Sequence, residues 1–498
     1  MGEPCIISVD EGTTGTRALL MDRDGQVVKQ AYRRLGVSYP RPGWVEQDAM
    51  EIWESTHMVL AEVIDSAIKM SRDIMGLAIS NQRETVVVWD AVTGKPLHPA
   101  IVWQCRRTEN VCAKLRDKGL EELIVERTGL PIDPYFSATK MAYMLEALND
   151  GQTLVTQGRV RLGTIDSWLV WNLTGGKVHV TDVSNAARTQ LMDIQTLNWS
   201  EHLAEIFGVP LNSLPRIRPS GGNLGSTSQL PGIPAGIPVL AIMGDSQAAL
   251  YGEAAFKPGD AKVTYGTGSS ILVNTGNRPK SPQNGLAATV AWQVQGDIIY
   301  ALEGIIHSTG AGIEWLSEGL NVISDAMESE ALARSVSDAG DVFFVPAFAG
   351  LGTPWWDATA RGVIVGITRG TKREHIVRAA LDAIALQVKD VFDAIDAIDC
   401  RKGGVVYCSG GGSRNSYLMQ LQADLLQRPI VTSNNPEASA RGVAAMAGLV
   451  AGIWTSSELV KLRDSRLGKY YAPEKSPREM DYMVERWHEA VRRSLNWA

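Results

Sequence analysis

The sequence predicts an α/β protein built from two related halves, and three observations carry that expectation. A strand, a Gly/Thr turn and a second strand open the chain at residues 6–21. The same pattern returns about 250 residues later, at 259–274. An apolar strand, a glycine triplet and a helix follow at 404–427.

The elements follow in chain order. Residues 5–10 are apolar and β-branched, so they read as a strand, and Gly12-Thr13-Thr14-Gly15 turns the chain. A second strand at 17–21 ends in Asp22-Arg23-Asp24-Gly25, a hairpin turn that leads to a third strand at 26–33. Asp48 is placed to cap a helix over 48–69, where Met50, Trp53, Val59, Val63, Ile64 and Ile68 recur near helical spacing. Short strands are expected at 74–80 and 85–89, and mixed α/β structure to about Arg218. The Pro/Gly-rich run 219–238 reads as an irregular loop or an interdomain linker. A buried strand at 239–243 then enters an Ala-rich helix through Gly244-Asp245-Ser246-Gln247. Residues 442–454 form the longest uncharged apolar stretch, too short for a membrane helix and read as a buried Ala/Gly-rich helix.

Composition bounds the function. A chain of 498 residues has room for two or more domains. Hydrophobic residues at 45% and charged residues at 21% exclude a disordered or fibrous protein. The net charge is −7 and no basic run stands out, which argues against nucleic-acid binding. The five cysteines include no CxxC pair and no zinc spacing, so they read as reduced, buried thiols of a cytoplasmic protein. The N-terminus lacks the pattern of a signal peptide.

Several segments can carry chemistry. In Asp10-Glu11-Gly12-Thr13-Thr14-Gly15-Thr16-Arg17, glycines open the backbone N–H groups to an anion and threonines add donors. Its Asp can hold hydrated Mg²⁺ and its Arg can neutralise phosphate; the alternative is an ordinary polar hairpin. Gly266-Thr267-Gly268-Ser269-Ser270 repeats the donor-rich turn in the second half. Ser409-Gly410-Gly411-Gly412-Ser413-Arg414-Asn415, between strand and helix, suits either a nucleotide or a tight connection. Asp245 ends a strand, where a carboxylate is a helix N-cap or a general base in the crevice of an open sheet. The segments Asn81-Gln82-Arg83-Glu84 and Trp103-Gln104-Cys105-Arg106-Arg107 read, on composition alone, as charged surface turns.

Taken together, these blocks resemble the FGGY carbohydrate kinases over nearly the whole chain. The similarity includes Asp10-Glu11-Gly12-Thr13-Thr14, Arg41-Pro42-Gly43-Trp44, Asn81-Gln82-Arg83-Glu84-Thr85, Trp103-Gln104-Cys105-Arg106 and Pro134-Tyr135-Phe136-Ser137. It continues through Asn185-Ala186-Ala187-Arg188-Thr189, Tyr265-Gly266-Thr267-Gly268 and Gly350-Leu351-Gly352-Thr353-Pro354 to the stretch 362–382. The resemblance implies two actin-like (ribonuclease H-like) α/β domains, 1–250 and 251–498, with an interdomain cleft. The first would carry the polyol site and a phosphate turn, the second the nucleotide site.

It further implies ATP-dependent phosphorylation of a polyol, glycerol first, with Mg²⁺, in a cytoplasmic enzyme that neither binds nucleic acid nor enters membranes and that forms homo-oligomers. Asp245 would be the general base, and Asp10 with Asp245 would hold the metal. Arg83, Glu84, Trp103, Tyr135 and Asp245 would bind the polyol, with Ser246 and Ser270 beside them. Thr13, Thr14, Arg17, Gly266, Thr267, Gly310, Gly411 and Asn415 would bind the nucleotide. Ser246 stands where the family's glycerol-phosphorylating members usually have Gln, and Ser270 where they often have Phe. Both changes imply a wider, more polar pocket, which keeps a longer polyol or ketose as an alternative substrate. A catalytically silent actin-like protein is the third reading.

Overall fold

The computed structural model describes residues 2–398, 403–433 and 437–497. Each half is organised on its own sheet. The first has five strands in the order Val239–Gly244, Asp73–Asn81, Pro4–Glu11, Gly15–Asp22, Val27–Arg34. Its first three strands run parallel, and the last two are added by antiparallel pairing, so only Gly15–Asp22 runs the other way. The second sheet has seven, in the order Ala287–Val294, Asp297–Ile306, Ser269–Gly276, Ala261–Tyr265, Val406–Gly410, Ile430–Ser433, Leu467–Tyr471. Here too a hairpin opens the unit, and its first strand pairs in parallel with a later one, which pairs in parallel with the next. The echo in the sequence is therefore a repeat of topology.

The strand Pro4–Glu11 is buried along nearly its whole length, as a central strand covered on both faces must be. Helix Ala49–Lys69 covers one face. Asp48 caps it, accepting hydrogen bonds from Met50 N and Glu51 N. Its Ile52, Val59, Leu60, Val63 and Ile64 are buried in the same cluster as Ile7, Val9 and Leu20 of the sheet. Side chains of this kind stabilise by ~1.5–3 kcal/mol each. The 219–238 segment belongs to the first half. Isolated bridges Gly221↔Ala241 and Ser226↔Pro238 lay it along the edge strand, so it is a loop and not a linker. Cys5, Cys105, Cys112 and Cys408 are buried and free, and Cys400 lies outside the described residues.

The halves share apolar contacts. Ile6, Met21, Ala78 and Met243 of the first pack in one cluster with Leu272, Tyr407, Val443 and Met446 of the second. Within it, helix Asp245–Gly252 crosses helix Ala438–Val450 at very short range. A Cβ on Gly442 would lie 1.8 Å from the Ala248 carbonyl oxygen, and one on Gly252 would lie 2.5 Å from that of Ala438. Only glycine allows this approach. The Ala/Gly-rich stretch read from the sequence supplies it. No helix of the described residues is long and apolar enough to cross a membrane.

Candidate active site

Three parallel strands of the first sheet end together. Asp10 pairs with Ser80 in the register, and Gly244 with Asn81. Asp10, Asn81 and Asp245 thus meet at the carboxyl edge, where open α/β sheets bind ligands. Asp245 is the first residue of its helix, and its side chain is 42% exposed to the cleft. Arg83 Nε stands 3.2 Å from Asp245 Oδ1, and Ser246 N donates to the same oxygen at 2.6 Å. Burial raises the Asp10 carboxyl to about 6, and the Asp245 charge adds to the rise.

Behind Asp245 lies a buried quartet of charges. Arg83 Nη2 reaches Glu303 Oε1 at 2.7 Å, and Arg188 Nη2 reaches Glu303 Oε2 at 2.7 Å. Arg188 Nε donates to Glu84 Oε1 at 2.6 Å, and Arg83 Nε lies 4.0 Å from the same atom. The surface-turn reading of residues 81–84 is therefore wrong: Arg83 is 5% and Glu84 1% exposed. Two cations and two anions neutralise one another, which is what makes their burial tolerable. Burial works against the charge of Glu303, but Arg188 and Arg83 outweigh it and hold its carboxyl below the usual range. Burial raises the Glu84 carboxyl, against the pull of both arginines. The Arg188 guanidinium also lies over the Phe136 ring, 5.1 Å from its centroid.

Trp103 and Tyr135 meet edge to face, 5.5 Å between centroids. Trp103 Nε1 donates to Thr13 Oγ1 at 2.9 Å, and Thr13 Oγ1 donates to Gln82 Oε1 at 3.3 Å. One hydroxyl thus ties the first glycine turn to the aromatic pair. Residues 103–107 are not a simple surface turn either, because Cys105 is buried and Arg107 packs on Trp44 while pairing with Glu46.

The second turn is held against the start of helix Gly310–Glu314. Gly310 N donates to the Gly266 carbonyl at 3.0 Å, and Ala311 N to that of Thr267 at 3.1 Å. A Cβ on Gly310 would lie 2.5 Å from the Gly266 oxygen, so glycine permits the contact. Thr14, Gly266 and Thr267 are exposed. Asn415 caps helix Ser416–Leu426 through Oδ1, which accepts from Leu418 N. Gly411 faces open space beside it. Arg17 pairs with Glu437, from the opposite half, and leans over the Tyr32 ring.

Two cavities adjoin these groups. One, of about 1010 Å³, is lined by Asp245, Ser246, Lys262, Ser270, Ser409 and Gly411, among others. The other, of about 980 Å³, is lined by Trp103, Tyr135, Phe136, Arg188 and Glu303, among others. Arg83 spans them, bonded to Asp245 on one side and Glu303 on the other. The residues named for the polyol are thus divided: Asp245, Ser246 and Ser270 face the first cavity, Trp103 and Tyr135 the second. Thr13, Thr14, Arg17, Gly266, Thr267, Gly310 and Asn415 line neither.

The family models for the N-terminal and C-terminal domains of the FGGY family of carbohydrate kinases match residues 5–252 and 261–451. The chain belongs to this family. Among relatives of this FGGY kinase, Glycerol kinase 2 of Thermotoga maritima is 46% identical over 99% of both chains. Glycerol kinase of Caldanaerobacter subterraneus is 45% identical, again over 99% of both. The crystal structure of Plasmodium falciparum glycerol kinase with ADP superposes with a TM-score of 0.95 at 33% identity, covering 99% of each chain. The xylulose kinase of Rhodospirillum rubrum superposes at 0.86 with 26% identity, covering 98% of this chain and 97% of that one.

Sequence reasoning missed two residues of this FGGY kinase site. Glu303 sits in a strand of the second half, in a segment with no motif. Lys262 precedes the second turn and looks like an ordinary solvated strand residue. Arg188 lay inside a recognised block, but its partner was unreadable.

Proposed function

We propose that the protein transfers the γ-phosphoryl group of ATP to glycerol, giving sn-glycerol 3-phosphate. The placement of Asp245 carries this reading. Its carboxylate opens into the cleft at a sheet edge, oriented by Arg83 and beside the cavity that Gly411 lines. In the reaction Asp245 accepts the hydroxyl proton as the polyol oxygen bonds to the γ-phosphorus. The bond to the bridging oxygen breaks, and ADP leaves with the electron pair. Arg83 keeps the carboxylate facing the hydroxyl. The turn amides, Thr14, Thr267 and Arg17 hold phosphate oxygens, which requires Arg17 to exchange Glu437 for the nucleotide. Asp10 and Asp245 are oxygen donors of the kind that share Mg²⁺ with phosphate, and one or two carboxylates suffice for it. When bound, the ion neutralises charge on the phosphates. The full-length relatives named glycerol kinases support the choice of substrate. The buried free thiols accord with action in the cytoplasm. A coupled ADP-release assay across polyols and ketoses tests the reading: glycerol should give the highest kcat/KM, and no turnover with any of them would refute it.

One observation favours a second substrate. Ser246 Oγ and Ser270 Oγ lie 3.5 Å apart beside Asp245, two small hydroxyls on a cavity wall. They leave room for another carbon and can bond its oxygen, as in a longer polyol or ketose. The double change Ser246→Gln with Ser270→Phe is expected to raise kcat/KM for glycerol ~10–200-fold over a five-carbon polyol, the usual range for one extra apolar contact. Unchanged ratios would show that these positions do not set the pocket.

Asp10 makes the reaction sensitive to acid. A carboxyl raised to about 6 keeps its proton below that pH and could not then hold the metal. We expect kcat/KM for MgATP to be flat above pH ~7 and to fall about tenfold per unit below pH ~6. Asp10→Asn should lower the plateau and remove this limb. A limb that persists unchanged in the variant belongs to another group.

A further inference from the structure

Lys262 is a buried charge that the site as described does not use. It is 3% exposed, yet its ammonium makes no hydrogen bond or ion pair among the described residues. The strand Ala261–Tyr265 explains its direction. Ala261, Val263 and Tyr265 turn into the core of the second half. The alternate positions, Lys262 and Thr264, turn the other way and line the cavity that holds Asp245, Ser246, Ser270 and Ser409. In the register Thr264 lies between Ser270 and Ser409, so Lys262 sits one pleat deeper than a row of hydroxyls. The charges in whose field it lies are Asp245, Glu303 and Glu253, which favour the ammonium, and Arg83, which opposes it.

A buried cation without a partner costs stability, and replacing it by an apolar side chain of like volume is commonly neutral or stabilising. Such a group calls for a ligand. The cavity it faces is the one bordered by the proposed base and by a glycine turn, and the ligand chemistry an ammonium there would meet is an anion. We propose that Lys262 is a further catalytic residue, whose ammonium contacts the phosphoryl group in transit and neutralises the charge that spreads over its oxygens. This rests on the kinase reading above. The proton balance is unchanged, since Asp245 takes the hydroxyl proton and Lys262 keeps its own. Burial lowers the ammonium to about 8, so an arriving anion would strengthen its hold on the proton.

The test is Lys262→Met in the full-length protein, read by steady-state kinetics and thermal unfolding. The expected result is a fall in kcat of at least ~100-fold, the scale for loss of one charge-stabilising group. The polyol KM should stay within threefold, and the Tm should be equal or higher. A structural lysine would show the reverse, a lower Tm with kcat kept, and that overturns the proposal. A rise in polyol KM at unchanged kcat would put the ammonium on the polyol and overturn it too. A wild-type protein inactive on every polyol and ketose instead removes the kinase reading itself.

Discussion

Asp245→Asn is expected to lower kcat by ~10²–10⁴-fold, the usual cost of losing a general base. The amide keeps the shape of the carboxylate and can still accept from Ser246 N, so the helix start should hold. What it loses is the capacity to take a proton and the charge that faces Arg83 at 3.2 Å. Nucleotide affinity, measured by calorimetry with ADP and neither polyol nor Mg²⁺, should change little. Activity within a few-fold of wild type would remove Asp245 from the proton transfer.

The second large effect concerns stability. Glu303→Ala should destabilise the protein by ~3–5 kcal/mol, because it leaves two buried guanidinium groups with Glu84 as their one buried carboxylate partner, Arg83 keeping only the half-exposed Asp245 besides. Arg83 and Arg188 come from the first half and Glu303 from the second, so the loss should also uncouple the halves. Calorimetry should show the unfolding transition move down and broaden, or split. The double change Arg188→Met with Glu303→Leu removes one charge of each sign and should cost less than the two single changes together. Strict additivity would mean that the two side chains do not act as a unit.

Much of the fold was legible because local signals and tertiary outcome agree. Asp48 caps its helix in sequence and in space, and the two Gly/Thr turns announced the topological repeat. The site was legible unevenly. Asp10, Asp245 and the turn residues stand at strand ends, positions that a pattern of apolar runs locates by itself. Arg83 and Glu84 were readable as chemistry only through family resemblance, since adjacent charges between two apolar runs ordinarily mark a solvated turn. Their burial depends on Glu303, 220 residues away in sequence from Arg83, and nothing local announces that partner. Lys262 shows the same limit. Alternation in a strand says that it faces away from Val263, but only the approach of the other half makes that face an interior one.

The crossing at Gly252 and Gly442 has a mechanical consequence. Two helices in backbone contact have no side chains to interlock there, so they can rotate about the touching point as about a fulcrum. Asp245 begins one of these helices, and Glu437, which holds Arg17, immediately precedes the other. The proposed base is therefore mounted less than three helical turns from the fulcrum, where a given rotation displaces atoms least. A small rotation at this crossing can move the halves against each other while the proton-accepting carboxylate stays nearly still.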